Sequence, residues 1–220
     1  PGLREALSWP KNSLFADVRI IEVPSELHQR YQHADRLPLY QMIGKNVGIR
    51  RARAPFVLAT NIDILFSDEL FEYLAIGKLE SGRMYRVNRL DVDENIRSDT
   101  TLDQQLEFCR ENLIRVNHWR GSKSLKTDHY HRHCADDEEL FLDQSEYPLL
   151  HSNACGDFQL MARSHWFELH GYPEFDMYSF HIDSIMQHMA HHGGAPEYRL
   201  EEPFRIYHIE HESGWTPEAQ

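Results

Sequence analysis

Short apolar runs alternate along this chain with segments in which apolar residues recur every three or four positions. The run "VRIIEV", residues 18–23, is β-branched and ends at Pro24, which predicts a buried strand followed by a turn. In "LPLYQMIGKNVGIRRARAP" the positions Leu39, Met42, Ile43, Val47 and Ile49 keep a helical rhythm that breaks before Pro55. "FVLATNID" predicts the next strand, and "SDELFEYLA" a helix with Ser67 as its N-cap and acids in its first turn. "RMYRVNRLDV" alternates as a further strand. The order strand, helix, strand, helix, strand predicts an α/β fold with right-handed crossovers.

The pattern changes after Asp91. "TLDQQLEFCRENLIRVNHW" reads as a helix, whereas "RGSKSLKTDHYHRHCADDEE" is polar and nearly featureless, so residues 93–148 are expected to form a polar insertion. Order returns at Leu149. "GDFQLMA" predicts a strand, "RSHWFELHG" a helix closed by Gly171, "HIDSIMQHMAHHGG" a second helix closed by glycines, and "PFRIYHIEH" a last strand. No internal repeat or domain boundary interrupts this rhythm, and 220 residues suit one well-cored domain.

Composition narrows the function. With 41% hydrophobic and 26% charged residues the chain is globular, and no apolar run approaches the length of a membrane span. The opening "PGLREALSWPKN" lacks the basic-then-apolar order of a secretory signal, so a cytoplasmic location is expected. A formal net charge of -12 argues against nucleic acid as a partner, because phosphate neutralisation needs a basic surface. The three cysteines, Cys109, Cys134 and Cys155, are widely spaced and suggest free thiols in a reducing compartment. Fifteen histidines keep metal chemistry open.

The chemistry concentrates at the end of the second strand. Ligands of open α/β sheets bind outside the carboxyl ends of strands, which is where Asn61 and Asp63 stand. Two positions apart on a strand, they face one side and offer oxygen donors to one hard cation. The other reading of the same pair is that it caps the helix beginning near Ser67.

"KNVGIRRARAPFVLATNIDILFSDEL" resembles the central segment of GT-A-fold glycosyltransferases, family-2-like in this half, where an N-x-G helix precedes a strand ending in D-x-D. Here these are Asn46, Gly48 and the variant Asn61-Ile62-Asp63. "NACGDFQLMARSHWFELHGYPEF" is similar to the C-terminal region of galactosyltransferase-like and N-acetylgalactosaminyltransferase-like enzymes. "SFHIDSIMQHMAHHGG" matches their acidic helix start, and "RIYHIEH" the place of their metal-binding histidine.

The resemblance implies a single domain with a GT-A-like (Rossmann-like) mixed sheet flanked by helices. Residues 18–92 would form its nucleotide-sugar and metal half, and residues 149–215 its acceptor and catalytic half. It implies a metal-dependent transferase of hexosyl or N-acetylhexosaminyl type, moving a sugar from a nucleotide-sugar donor to a carbohydrate or other hydroxyl acceptor. Asp63 and His208 would hold a divalent metal, Mn²⁺ or Mg²⁺, with His211 in reserve, and Asn46, Asn61 and Asp63 would meet the donor. Asp183 would deprotonate the acceptor and Asp157 would bind a sugar hydroxyl.

Two features depart from the family. Asn61 replaces the first acid of D-x-D, and the family's opening strand and base-holding turn have no counterpart before "VRIIEV". These leave a non-catalytic nucleotide- or carbohydrate-binding relative, and a metal-dependent hydrolase, as alternatives. Among other candidates, His208 and His211 lie three apart and on a strand would face opposite sides. His188, His191 and His192 suit a helix C-terminus. His129, His131, His133 and Cys134 fit no common zinc spacing. Arg50, Arg51 and Arg53 are candidates for phosphate, and Trp119, Trp166 and Trp215 for sugar stacking or packing.

Overall fold

A computed structural model of the chain describes residues 5, 18–126, 130–132, 149–175, 177 and 181–211. Eight strands form one mixed sheet, built around β3 (Met84–Val92). One edge of β3 takes β8 (Glu197–Ile209) in parallel, and β8 in turn carries the short antiparallel β2 (Ile64–Phe66). On the other edge the start of β3 pairs with β7 (Phe158–Ala162), and its end pairs with β4 (Leu113–His118). Beyond β7 lies β1 (Phe56–Thr60); beyond β4 lie β5 (Gly121–Ser124) and β6 (Tyr130–Arg132).

Strand alternation divides the core between the two faces. Met84 and Met161 point to one face, where Met42 and Ile49 of α2 (Gln41–Arg51), Trp166 of α5 (Arg163–Glu168) and Met186 of α6 (Ile182–His192) cover them. Tyr85, Phe158 and Leu160 point to the other, against Leu70 of α3 (Asp68–Ile76). A third cluster joins Leu90 and Val92 to Leu106 and Cys109 of α4 (Leu102–Glu111). Burying each large side chain of this kind is worth roughly 1.5–3 kcal/mol. Trp166 hydrogen-bonds the Val57 carbonyl at 3.0 Å through its indole N–H, so its burial leaves no donor unmet.

Helix ends follow the sequence closely. Ser67 caps α3, its hydroxyl accepting from the Leu70 amide at 3.3 Å, and Asp68 and Glu69 fill the first turn. Thr101 and Gln104 form a reciprocal capping box on α4. α1 (Ser25–His28) is a single turn.

Five expectations are corrected. Residues 18–23 are irregular and exposed, with Val18 at 45%, Ile21 at 37% and Val23 at 44% exposure. Their β-branched composition expresses fit to a pleated surface, and no strand edge receives them. Residues 113–118 are strand β4, not helix: Arg115 and Asn117 share one face and reach Asp91, while Val116 packs on the other with Leu90, and a register shift beside Val92 turns Leu113 to that same apolar side. With β5, joined by the two residues Trp119 and Arg120, β4 makes a hairpin, so the presumed insertion contributes strands to the same sheet. The strand "FVLATNID" stops at Thr60. Among the described residues only β3 and β8 pair in parallel, so no two successive strands form the parallel β-α-β unit expected; β3 and β4, with α4 between them, lie side by side antiparallel. No helix among the described residues is long and apolar enough to cross a membrane.

His151 gives the fold a pH dependence. Its side chain is buried, and burial together with the nearby Arg86 and Arg199 cations holds its pKa well below 6.5. Unfolding restores an ordinary imidazole, so protons favour the unfolded chain. This stability is complete above about pH 6.5 and is lost as pH falls through the lower folded value. NMR of the His151 ring should show a neutral imidazole at pH 6, where exposed histidines are mostly charged, and urea stability should decline below that pH.

Candidate active site

Asn61, Ile62 and Asp63 form the turn that carries the chain from β1 to β2. The Asp63 carbonyl accepts from the Ile209 amide at 3.0 Å, which fastens this turn to the end of β8. Since Ile64 pairs with His208, the Asp63 side chain comes beside the last histidines of the chain's final strand. Asp63 Oδ2 lies 3.3 Å from His208 Nε2 and 3.0 Å from His211 Nε2. Both histidines therefore reach one carboxylate oxygen, contrary to the alternation expected three positions apart. The reason is that β8 ends at Ile209, so His211 no longer obeys strand geometry.

These three residues place one donor atom each within 4.8 Å of the others. Burial opposes ionisation of Asp63, but hydrogen bonds from His208 and His211 and the His208 charge outweigh it and hold the carboxyl down at about 2. Burial likewise opposes the charge on His208, and the bonds to Asp63 and Asp91 raise it to about 9. Asp63 Oδ1 is buried without a hydrogen-bond partner. A vacant carboxylate oxygen beside two imidazole nitrogens is a donor set that fits a divalent cation. A second group, Asp91, His208 and Glu210, meets the same distance criterion, but Arg89 Nε at 2.8 Å and Arg115 Nε at 3.3 Å from Asp91 already supply its positive charge.

Asp157 ends the short 3₁₀ turn Cys155–Asp157 ahead of β7. Its Oδ1 accepts from Asn61 Nδ2 at 2.5 Å, and its Oδ2 from Arg89 at 2.7 Å. Asn61 also accepts from Gln41 at 2.8 Å, so its amide bridges α2 to Asp157. Arg89 holds Asp91 and Asp157 together, and the whole assembly is largely buried: Asp91 is 0% and Asp157 4% exposed. Burial works against the Arg89 charge, but both carboxylates raise its pKa above the ordinary value.

Asp183 lies in the first turn of α6, and its Oδ1 accepts from the Ser184 amide at 2.9 Å. Its Oδ2 lies 2.8 Å from where a Cβ on Gly156 would stand, so the carboxylate packs against the Cys155–Asp157 turn and would have to shift for a larger residue there. The residues leading into these two segments, Ala154 (φ 49°) and His181 (φ 67°), hold left-handed backbone, a cost of order 1–3 kcal/mol each. Lys45 Nζ bonds the Gly156 carbonyl at 2.6 Å. Burial lowers the Lys45 pKa, while Asp157, Asp183, Cys155 and Asp63 pull it back up, which puts this ammonium among the site's carboxylates.

The remaining candidates divide. Asn46 is 1% exposed and its amide is consumed internally: it accepts from the Tyr172 amide at 2.8 Å and donates to the Tyr172 carbonyl and to Glu174, each at 2.9 Å. A Cβ at Gly171 (φ 78°) would stand 2.3 Å from its oxygen. Asn46 thus locks α2 to the Gly171–Tyr172 turn. Arg50 pairs with Glu174 at 2.5 Å, and Arg51 bonds its own helix at Val47. With Arg53 they precede β1, at the opposite end of that strand from Asp63. Trp166 is core, and Trp119 stacks against the guanidinium groups of Arg120 and Arg199, 4.5 and 4.6 Å from its ring centre. His188, His191 and His192 cluster at the end of α6. The side chains of His129, His131, His133 and Cys134, like Trp215, lie outside the described residues. A cleft of about 240 Å³ lined by Asn46, Ile49, Arg50, Trp166, Phe167, His170 and Gly171 includes none of Asp63, Asp157, Asp183 and His208.

Lys45, Arg89, Asp91 and Arg115 were not singled out in the sequence. The available signal was opposite charges two apart within the strand "VNRLDV", where alternation puts Arg89 and Asp91 on one face. Neither a protein-family model nor a curated protein matches the chain.

Replacing Arg89 by Met would strand two buried carboxylates. Breaking a buried ion pair by removing one partner costs about 3–5 kcal/mol. The urea midpoint of Arg89→Met should fall accordingly; a midpoint within error of the parent would show that Asp91 and Asp157 do not depend on Arg89.

Proposed function

We propose that the chain is a metal-dependent glycosyltransferase of GT-A type, transferring a sugar from a nucleotide-sugar donor to a hydroxyl acceptor. The observation that carries the reading is the convergence of Asp63, His208 and His211 at the end of β1, with Asp157 and Asp183 close around Lys45. A mixed α/β sheet with helices on both faces agrees with the proposed fold at the level of class.

Asp63 and His208 would hold the cation, with His211 as a further ligand. Such a cation supplies positive charge that stabilises a leaving diphosphate more in the transition state than before it. Asp183 is the proposed base. Its Oδ1 is occupied by the Ser184 amide, so Oδ2 would take the proton from the acceptor hydroxyl. The ammonium of Lys45 would offset the charge of Asp157 and Asp183 when anionic substrate enters. Asp157, held by Asn61 and Arg89, would present its remaining lone pairs to a sugar hydroxyl.

Mn²⁺ should tighten binding of nucleoside diphosphates to the wild-type chain, and Asp63→Ala should remove that effect. Isothermal titration over a panel of nucleoside diphosphates measures it, and no nucleotide binding with or without Mn²⁺ would sink the reading. Asp183→Asn should keep Mn²⁺–nucleotide binding while losing transfer from the sugar nucleotide that binds; unchanged turnover would remove Asp183 from its role.

A further inference from the structure

We infer that Asp91 is the positioning residue of the metal site: its carboxylate fixes the His208 ring so that Nε2 faces Asp63 and the cation they share. The inference rests on the metal-site reading above and goes beyond it, since Asp91 has no ligand role there.

Sheet register creates the arrangement. Asp91 on β3 lies opposite His208 on β8 and opposite Arg115 on β4, and His208 is flanked on its other side by Ile64 of β2. Residues facing each other across adjacent strands carry side chains on one face, so one row of the sheet presents the histidine, the carboxylate and a cation in sequence. The His208 ring is bracketed by two carboxylates, with Nε2 3.3 Å from Asp63 Oδ2 and Nδ1 3.4 Å from Asp91 Oδ1. Metal-binding histidines usually give their other ring N–H to a carboxylate or carbonyl, which sets ring orientation and raises ligand basicity.

Asp91 is wholly buried. Its Oδ2 takes Asn117 Nδ2 at 3.0 Å and Arg115 Nε at 3.3 Å, and Asn117 is itself held by the Ser122 hydroxyl at 2.6 Å. This anchoring of Oδ2 leaves Oδ1 for His208 and Arg89. His208 Nδ1, Asp91 Oδ1 and Asp63 Oδ1 are all buried without an aligned hydrogen bond, although the first two stand at ion-pair distance. Buried polar atoms left in this way cost free energy until they are met. All three belong to His208 or to one of the two carboxylates that bracket its ring.

A purely structural role, neutralising Arg89 and Arg115, makes a different prediction. Asp91→Asn keeps the shape but weakens the hold on His208, whereas Asn117→Ala removes a partner of the opposite oxygen and leaves the His208 contact. Mn²⁺ affinity of the full chain, read by electron paramagnetic resonance, should fall about ten- to hundredfold in Asp91→Asn, the usual cost of losing such a partner. Asn117→Ala should keep affinity near wild type. In the wild-type chain with Zn²⁺, ¹⁵N NMR should show His208 protonated at Nδ1 and coordinating through Nε2, and this readout decides the matter if Asp91→Asn does not fold. Wild-type Mn²⁺ affinity in Asp91→Asn, equal losses in both variants, or coordination through Nδ1 would overturn the inference while the metal site stands. Absence of any Mn²⁺ binding by the wild-type chain would overturn both.

Discussion

A carboxylate with no exposure to water has to be met by cations and donors, and in this protein Asp91 sets the terms that the neighbouring strands satisfy. Arg89 comes from the same strand, Arg115 and Asn117 from β4, and His208 from β8. Registers on both sides of β3 are therefore tied to one charge. A slip of one residue on either neighbour would turn its partner to the wrong face and leave Asp91 uncompensated. The same constraint delivers His208 to Asp63, because the strand that answers Asp91 also pairs with β2 directly after the Asn61–Asp63 turn.

From that centre the site extends in two directions. Arg89 carries the network to Asp157, which Asn61 also holds, so the end of β1 and the start of β7 are joined by charge as well as by strand pairing. Gly156 then brings Asp183 and Lys45 against the same turn. The left-handed residues Ala154 and His181 stand immediately before these two segments, where backbone strain is offset by the bonds it makes possible. The acids proposed for metal, sugar and proton transfer thus share one electrostatic system.

Elements with a strong local signal were legible in the sequence. Ser67 before two acids announced α3, the period of "HIDSIMQHMAHHGG" announced α6, and "GDFQLMA" announced β7. "VRIIEV" misled because β propensity describes a side chain's fit to a sheet and cannot supply the edge it needs. The β4–β5 hairpin escaped because a two-residue Trp119–Arg120 connection has none of the usual turn residues. At the site, Asp63 and His208 were readable as a pair, but the contribution of His211 depended on where β8 stops. Asn46 was read as meeting the donor, and the hydrogen bonds it makes to Tyr172 and Glu174 depend on tertiary packing that its sequence neighbours do not announce. Arg89 and Asp91 were hidden for a simpler reason: charges inside a strand pattern look like a solvated face until both faces of the sheet are found covered.

The claim on which the rest turns is that Asp63 and His208 share a divalent cation. Anomalous X-ray scattering from crystals of the full chain grown with Mn²⁺ tests it most directly. The expected result is a single strong Mn²⁺ peak within bonding distance of the Asp63 carboxylate and of His208 Nε2. Ordered Asp63 and His208 side chains with no peak between them, or a peak at other residues, would contradict it.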